Sequence, residues 1–291
     1  MNNHFIENIK LVYPDLSIRD YYLNEIGQNN DVLIVNNSWV FRFPKYENGI
    51  VNLRRETEIL KYAKGFVTTP IPNPVYQSFE ELEPGKVFTG YKLIDGVPLW
   101  KASLMQIKSD ELIKGLAFQL MDFLIELHSI SEDKVSGVLN LKTSHPHVEM
   151  FKLYDKIQNK LFPYIRKDAQ KEITHSFMTI LNGEAFTNLK VTLIHGDFGA
   201  SNILWNPETS KISGIIDFGG SGLGDPAYDF AGILSSYGED FFNMCINLYP
   251  NGNEISKRVK FYKSTFALQE ALHGIENNDK QAFENGIKDY R

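Results

Sequence analysis

Two short stretches carry side chains that could do chemistry. In Leu193-Ile194-His195-Gly196-Asp197-Phe198-Gly199-Ala200-Ser201-Asn202-Ile203-Leu204 an apolar run delivers an acid into a Gly-containing loop, and Asn202 opens the next apolar run. Gly214-Ile215-Ile216-Asp217-Phe218-Gly219 repeats the pattern. Phosphoryl transfer needs few groups: a carboxylate that orients the attacking hydroxyl, and hard oxygen ligands for Mg²⁺ on nucleotide phosphates. Asp197 suits the first role, and Asn202 with Asp217 the second. His195 is expected to brace backbone rather than move protons.

Taken singly, each fragment fits an ordinary turn, because Asp and Gly are turn formers. Asp-Phe-Gly even occurs twice, at 197–199 and 217–219. Order and spacing together are far more specific. Asp197 to Asn202 is the D-x-x-x-x-N spacing of a kinase catalytic loop, and Asp217-Phe218-Gly219 is the D-F-G triplet that follows it. No Walker A sequence occurs. His145-Pro146-His147 is the only close His pair and reads as a loop or helix start. Without a His-x-His or His-x-x-x-His pair near Asp197, metal-dependent hydrolysis is set aside.

Elements must position these groups. Residues 3–13 have a helical pattern. Tyr21–Ile26, Val32–Val35 and Trp39–Phe43 read as strands, with a hairpin turn at Asn36-Asn37, since Asn tolerates positive φ. Residues 50–63 are predicted helical, and Val75–Phe79 and Lys86–Ile94 extended. Asp95-Gly96-Val97-Pro98 is a turn-rich break. Leu116, Leu120, Phe123, Leu124 and Leu127 give residues 110–128 one buried helical face. Further helices are predicted at 146–161, 168–182, 226–249, 254–276 and 279–290. Short strands are predicted at 191–194, 203–205 and 212–216. A β-rich first third and a mainly helical remainder predict an α+β chain of two packed units with a ligand cleft. The expected division is 1–94, nucleotide-binding, and 95–291, catalytic and acceptor-binding.

Composition narrows the class. The 291 residues include 43% hydrophobic and 13% aromatic residues, enough for a large core. A net charge of -6 argues against a general nucleic-acid binder. Cys245 is the single cysteine, so no internal disulfide forms. Its apolar neighbours predict a buried, inert thiol. The N-terminus lacks a secretory pattern, and no apolar run is long enough to span a membrane, so a cytoplasmic protein with no membrane partner is expected. Its oligomeric state is left open, a monomer being favoured.

These residues resemble the aminoglycoside phosphotransferase family, relatives of the protein kinases. The resemblance rests on Trp39-Val40-Phe41-Arg42-Phe43-Pro44-Lys45, Glu56, Ile194-His195-Gly196-Asp197 through Asn202, and Ile215-Ile216-Asp217-Phe218-Gly219 through Gly224-Asp225-Pro226 and Asp229. The Phe-Arg-Phe-Pro-Lys strand and the segment Gly90-Tyr91-Lys92 through Gly96-Val97-Pro98 are similar to the 2''-phosphotransferases. The resemblance implies a bilobal, protein-kinase-like fold with a β-rich N-terminal lobe. It implies Asp197 as catalytic base and Asn202 and Asp217 as Mg²⁺ ligands. Arg42 and Glu56 become the phosphate-side ion pair, with Lys45 an alternative cation. Gly27-Gln28-Asn29-Asn30-Asp31 occupies the place of a glycine-rich loop. Lys92, Leu93 and Ile94 become the hinge backbone that reads the base of ATP or GTP. Tyr91 just before them favours GTP.

The family reading makes an aminoglycoside the expected acceptor. Two departures bear on that. The stretch after Asp225-Pro226 reads Gly232-Ile233-Leu234-Ser235-Ser236, where 2'' relatives carry an acidic pair. Asn202 stands where they commonly carry His. Glu239, Asp240, Glu270 and Glu276 are the candidate replacement carboxylates for a cationic acceptor, although each also fits a solvated helix face. A metabolic kinase acting on a sugar, amino alcohol or choline-like acceptor is the alternative, and a nucleotide-binding pseudokinase a more distant one.

Overall fold

In the computed structural model, residues 3–24, 29–135, 139, 145–183, 186 and 189–291 are described. Of the segments expected from sequence, Glu25–Ile26 of the first strand and Gly27-Gln28 of the phosphate-covering hairpin lie outside them. The chain packs as two compact units, Met1–Leu127 with Ser201–Ser221, and His128–Ala200 with Gly222–Arg291. The boundary expected after residue 94 does not coincide with this division. Strand Val97–Pro98 pairs with Ile203–Asn206, which ties the chain beyond the expected break into the first unit.

In the first unit, helix α1 (Asn3–Val12) precedes strands β1 (Tyr21–Asn24), β2 (Asn30–Val35) and β3 (Trp39–Pro44). Helix α2 (Glu47–Ala63) and strands β4 (Tyr76–Ser78) and β5 (Phe88–Lys92) follow. The strands form an antiparallel sheet in the order β1-β2-β3-β5-β4. Asn36 and Asn37 both adopt positive φ, 52° and 47°, which matches the turn to the right-handed twist of the β2–β3 hairpin. Alternation sorts the side chains onto two faces. Leu33, Val35, Phe41, Phe43 and Phe88 pack against Phe5, Ile6 and Ile9 of α1. Ile34, Val40 and Tyr91 form a smaller cluster on the opposite face.

The same unit contains β6 (Val97–Pro98), α3 (Lys101–Gln106) and α4 (Asp110–His128), the last residue excepted. Helix α3 was not expected from sequence. Later in the chain come β8 (Ile203–Asn206) and β9 (Lys211–Ile215), in the sheet β6-β8-β9.

The second unit holds α5 (Glu132–Val135), α6 (Pro146–Lys160), α7 (Lys167–Leu181), β7 (Thr192–Ile194) and β10 (Gly222–Gly224). It continues with α8 (Ala227–Tyr237), α9 (Glu239–Leu248), α10 (Gly252–Glu276) and α11 (Lys280–Ile287). Strand β7 pairs antiparallel with β10. The single helix expected over 226–249 is two. Gly238, at φ 90°, takes a conformation that costs other residues and breaks the helical path. Cys245 is buried, and burial pushes its thiol up to about 12.

Candidate active site

The first unit carries the phosphate-side groups. Arg42 lies on β3, on the sheet face that also bears Val40. On α2, Glu56 falls three residues after Leu53, on the stripe that also buries Ile59, Leu60 and Ala63. A carboxylate forced onto a buried stripe needs a partner. Arg42 supplies it: its guanidinium donates to Glu56 Oε1, and both side chains are nearly inaccessible. The other terminal nitrogen of Arg42 lies 3.3 Å from Asp217 Oδ1. Burial alone would lower the Arg42 pKa, but the charges of Glu56 and Asp217 and the Tyr91 phenol hold it above its ordinary value. Burial pushes the Glu56 carboxyl up, against the opposing pull of Arg42. The backbone N–H of Phe218 also donates to Glu56, which fastens the segment after Asp217 to α2. Lys45 instead faces Asp31, 3.8 Å away.

Strand pairing places the two expected metal ligands. Asn202 precedes β8 and Asp217 follows Ile216 at the end of β9. Ile203 pairs with Ile215, and the Ile216 N–H donates to the Asn202 carbonyl at 2.9 Å. Both residues therefore stand at the same end of one hairpin. Asp217 adopts φ 63°, a left-handed conformation that Asp tolerates better than bulky residues. Its side chain is 51% exposed, while Asn202 is buried. One carboxylate and one amide oxygen at a strand end fit Mg²⁺, which takes oxygen ligands and leaves the rest of its shell to water and substrate phosphates. Among the described residues, no group of three or more His, Cys, Asp and Glu could hold a metal by itself.

Tyr91, on β5, is buried, and burial pushes its phenol up to about 12. The nearby Arg42 charge pulls it the other way. Lys92 is exposed and Leu93 and Ile94 are half-buried. The Leu93 N–H donates to the Ser38 carbonyl at 2.8 Å.

The second unit carries Asp197, and helix α8 holds its loop. Asp229 is fully buried, and its two carboxylate oxygens accept from the backbone N–H groups of His195 and Gly196, each at 2.8 Å. Three residues on, Gly232 lets the Phe198 carbonyl approach so closely that a Cβ there would lie 2.4 Å from it. Four residues further, Ser236 Oγ accepts from the Ala200 N–H at 3.0 Å. Positions 229, 232 and 236 share one helical stripe. The loop is thus fixed once per turn of α8. His195 is inaccessible, and its Nδ1 accepts from the Asp197 N–H at 3.2 Å, the bracing role expected of it. Asp197 itself is exposed.

Two buried pairs support this helix. His128 Nε2 lies 3.0 Å from Asp229 Oδ2, and its Nδ1 lies 2.9 Å from the Tyr249 hydroxyl. Arg258 forks around Asp225, with Nε to Oδ2 at 2.6 Å and a terminal nitrogen to Oδ1 at 2.8 Å. The roles of His128, Gly232, Ser236 and Arg258 were not read from the sequence. An acid, a glycine and a serine spaced three and four apart in an apolar helix were the available signal.

A cavity of about 280 Å³ opens beside Asp197. The loop residues Gly196, Asp197 and Phe198 wall one side, and Tyr228, Phe266 and Gln269 line it from α8 and α10. The four acids suggested for acceptor binding do not line it. Glu239 faces Lys260 at 3.4 Å, and Glu276 is held by Lys156 and Lys160 at 3.2 and 2.6 Å. Asp240 and Glu270 are exposed.

Residues 23–262 match the phosphotransferase enzyme family. Viomycin phosphotransferase of Streptomyces vinaceus is 30% identical over 202 residues, 68% of this chain and 67% of that protein. The GDP and kanamycin complex of APH(2'')-IIIa superposes with a TM-score of 0.88 at 25% identity, over 98% of this chain and 96% of the other. The GDP complex of wild-type aminoglycoside 2'-phosphotransferase-IIIa gives the same TM-score and identity over 99% and 96%. A type I macrolide 2'-phosphotransferase shares the fold at TM-score 0.76 and 15% identity, over 100% and 97%. The α+β, kinase-like fold expected from the sequence is the one observed.

Proposed function

The chain belongs to the phosphotransferase enzyme family, and from that premise we propose that it phosphorylates a hydroxyl of an antibiotic, an aminoglycoside first among them, with GTP or ATP as donor. It is a phosphotransferase with an alcohol group as acceptor. The observation that carries the reading is the chain of contacts Glu56–Arg42–Asp217, a buried ion pair whose outer edge reaches the Asp of the Asp-Phe-Gly triplet. Such a pair makes a fixed positive charge beside an acidic ligand, which suits the end of a triphosphate.

In this reading Asp197 accepts a hydrogen bond from the acceptor hydroxyl and orients its oxygen toward the γ-phosphorus. The new O–P bond forms as the bond to the nucleoside diphosphate breaks, and the hydroxyl proton passes late to an Asp197 carboxylate oxygen. Asn202 and Asp217 would hold Mg²⁺, which when bound neutralises charge on the β- and γ-phosphates. Arg42 offsets the remaining negative charge. Positioning and electrostatics supply most of the acceleration. GTP is the favoured donor, supported by Tyr91 before the hinge segment Lys92–Ile94 and by the GDP held in two similar structures. Among the described residues no helix is long and apolar enough to cross a membrane.

The test is steady-state phosphorylation of kanamycin, gentamicin and viomycin with each nucleotide, with Asp197→Asn as control. Turnover of an antibiotic that the control lowers by about 10²- to 10⁴-fold is expected. Inert antibiotics alongside a rapidly phosphorylated sugar or amino alcohol would move the assignment to a metabolic kinase.

A further inference from the structure

We infer that Tyr228, Phe266 and Gln269 form the subsite that grips the acceptor next to its reacting hydroxyl, and that they do so through ring faces and neutral hydrogen bonds rather than carboxylates. The inference rests on the reading of Asp197 as the group that receives that hydroxyl. It specifies the acceptor chemistry: a saturated ring with an apolar C–H face and hydroxyls along its edge.

The cavity beside Asp197 is at the small end of small-molecule pockets, which run from roughly 300 Å³ upward, so it takes one ring of an acceptor rather than a whole drug. Among its described lining residues, Asp197 alone is charged. Tyr228 and Phe266 stand edge to face, with centroids 5.4 Å apart, and give the cavity aromatic walls. Saturated rings pack their C–H faces on such walls, and a ring substituent bearing an ammonium is drawn to the same faces.

The polar groups are fixed by a directed chain. The Tyr228 hydroxyl donates to Gln269 Oε1 at 3.2 Å. Gln269 Nε2 donates to Thr265 Oγ1 at 2.9 Å, and Thr265 Oγ1 donates to the Tyr262 carbonyl at 2.7 Å. With its proton committed, the Tyr228 oxygen offers lone pairs, and the Gln269 amide offers its second N–H. Burial, with Asp197 and Asp229 nearby, holds the Tyr228 phenol above its usual range, so it stays neutral. Phe266 and Gln269 are three residues apart on α10 and share a face, while Glu270, the next residue, is exposed and does not line the cavity. The other candidate acids are occupied by lysines or exposed elsewhere.

The experiment separates grip from chemistry by measuring acceptor affinity calorimetrically as well as turnover. Kanamycin and viomycin serve as probes of wild type, Phe266→Ala, Tyr228→Leu, Gln269→Leu and the acid-neutralised Glu270→Gln/Glu276→Gln. A GDP-induced rise in melting temperature equal to that of wild type certifies that each variant is folded. The expected result is a Kd and KM raised about tenfold in each of the first three, with the double variant within about twofold of wild type. Wild-type affinity is expected to fall only a few-fold between low and high salt, because contacts with ring faces are screened less than ion pairs. Binding without turnover in wild type would refute the phosphotransfer reading and leave the subsite standing. Turnover with unchanged KM in all three variants would overturn the subsite and leave phosphotransfer standing. A KM raised by the acid-neutralised variant, or no binding of either probe to wild type, would also overturn it.

Discussion

Nε2 of His128 lies 3.0 Å from Oδ2 of Asp229, and the same Oδ2 accepts the backbone N–H of His195 at 2.8 Å. A buried carboxylate is thereby satisfied by two main-chain donors of the Asp197 loop and one ring nitrogen. Removing a partner from a buried charged group leaves the remaining desolvation cost uncompensated. His128→Ala should lower stability by about 3 kcal/mol, and Asp229→Ala should also reduce kcat. Urea unfolding with parallel kinetics checks both. A His128→Ala loss below about 1 kcal/mol would show that water replaces the ring.

Arg42 and Glu56 form a second buried pair. Glu56→Gln keeps the shape but removes the charge that fixes Arg42. It should raise the KM for nucleotide and lower kcat/KM by about 10- to 100-fold. Arg42→Lys should not restore the function, because an ammonium cannot reach Glu56 and Asp217 at once. Wild-type kinetics in Arg42→Lys would contradict the proposed use of both guanidinium edges.

Gly232 and Ser236 probe the loop support on α8. A Cβ at Gly232 would meet the Phe198 carbonyl, which is backbone and cannot rotate away. Gly232→Ala should therefore displace the Asp197 loop and lower kcat at least tenfold, out of proportion to its stability loss. Ser236→Ala removes the partner of the Ala200 N–H and should cost about 1 kcal/mol, with Ser236→Thr recovering much of it. Stability and kcat that fall strictly together would mean a packing effect alone.

Cys245 supplies a pH signature. Burial raises its thiol from 9.0 to about 12. The folded pKa exceeds the unfolded one, so this contribution is fully present below pH 9 and is lost as pH rises through 12. The loss has a slope approaching 1.4 kcal/mol per pH unit. Cys245→Ala should flatten the stability profile between pH 9 and 11 in urea titrations. An unchanged slope would place an ionised thiol in contact with water in the folded state.

What the sequence made legible was local. Asp197 and Asp217 announce themselves because each follows an apolar run, and Asn202 because it opens one at a fixed spacing from Asp197. Asn36-Asn37 marks its hairpin because few residues accept two positive φ values. Glu56 could be matched to Arg42 through the family resemblance, while its burial follows from the helical stripe. The partners of the catalytic loop were hidden. His128 and Asp229 are 101 residues apart, and Arg258 and Asp225 are 33 apart, so no window of sequence contains either pair. The acceptor cavity was hidden for a related reason. Acids are the natural partners of a cationic ligand, whereas the walls beside Asp197 are an aromatic pair and an amide that alone read as core. The end of the helix at Gly238 was visible as a glycine but not as a break, since glycine is also tolerated within helices.

Helix α8 has two neighbouring stripes with different tasks. Asp229, Gly232 and Ser236 hold the loop, while Tyr228 faces the cavity and Gly232 borders it too. Phe266 and Gln269 sit on α10 with no share in loop support. The two walls of the cavity therefore differ in how freely they can drift. Exchanges at Asp229, Gly232 and Ser236 put the reaction at risk, whereas exchanges at 266 and 269 alter only what is admitted. Under antibiotic selection, a widening drug range should accumulate its first successful substitutions on α10.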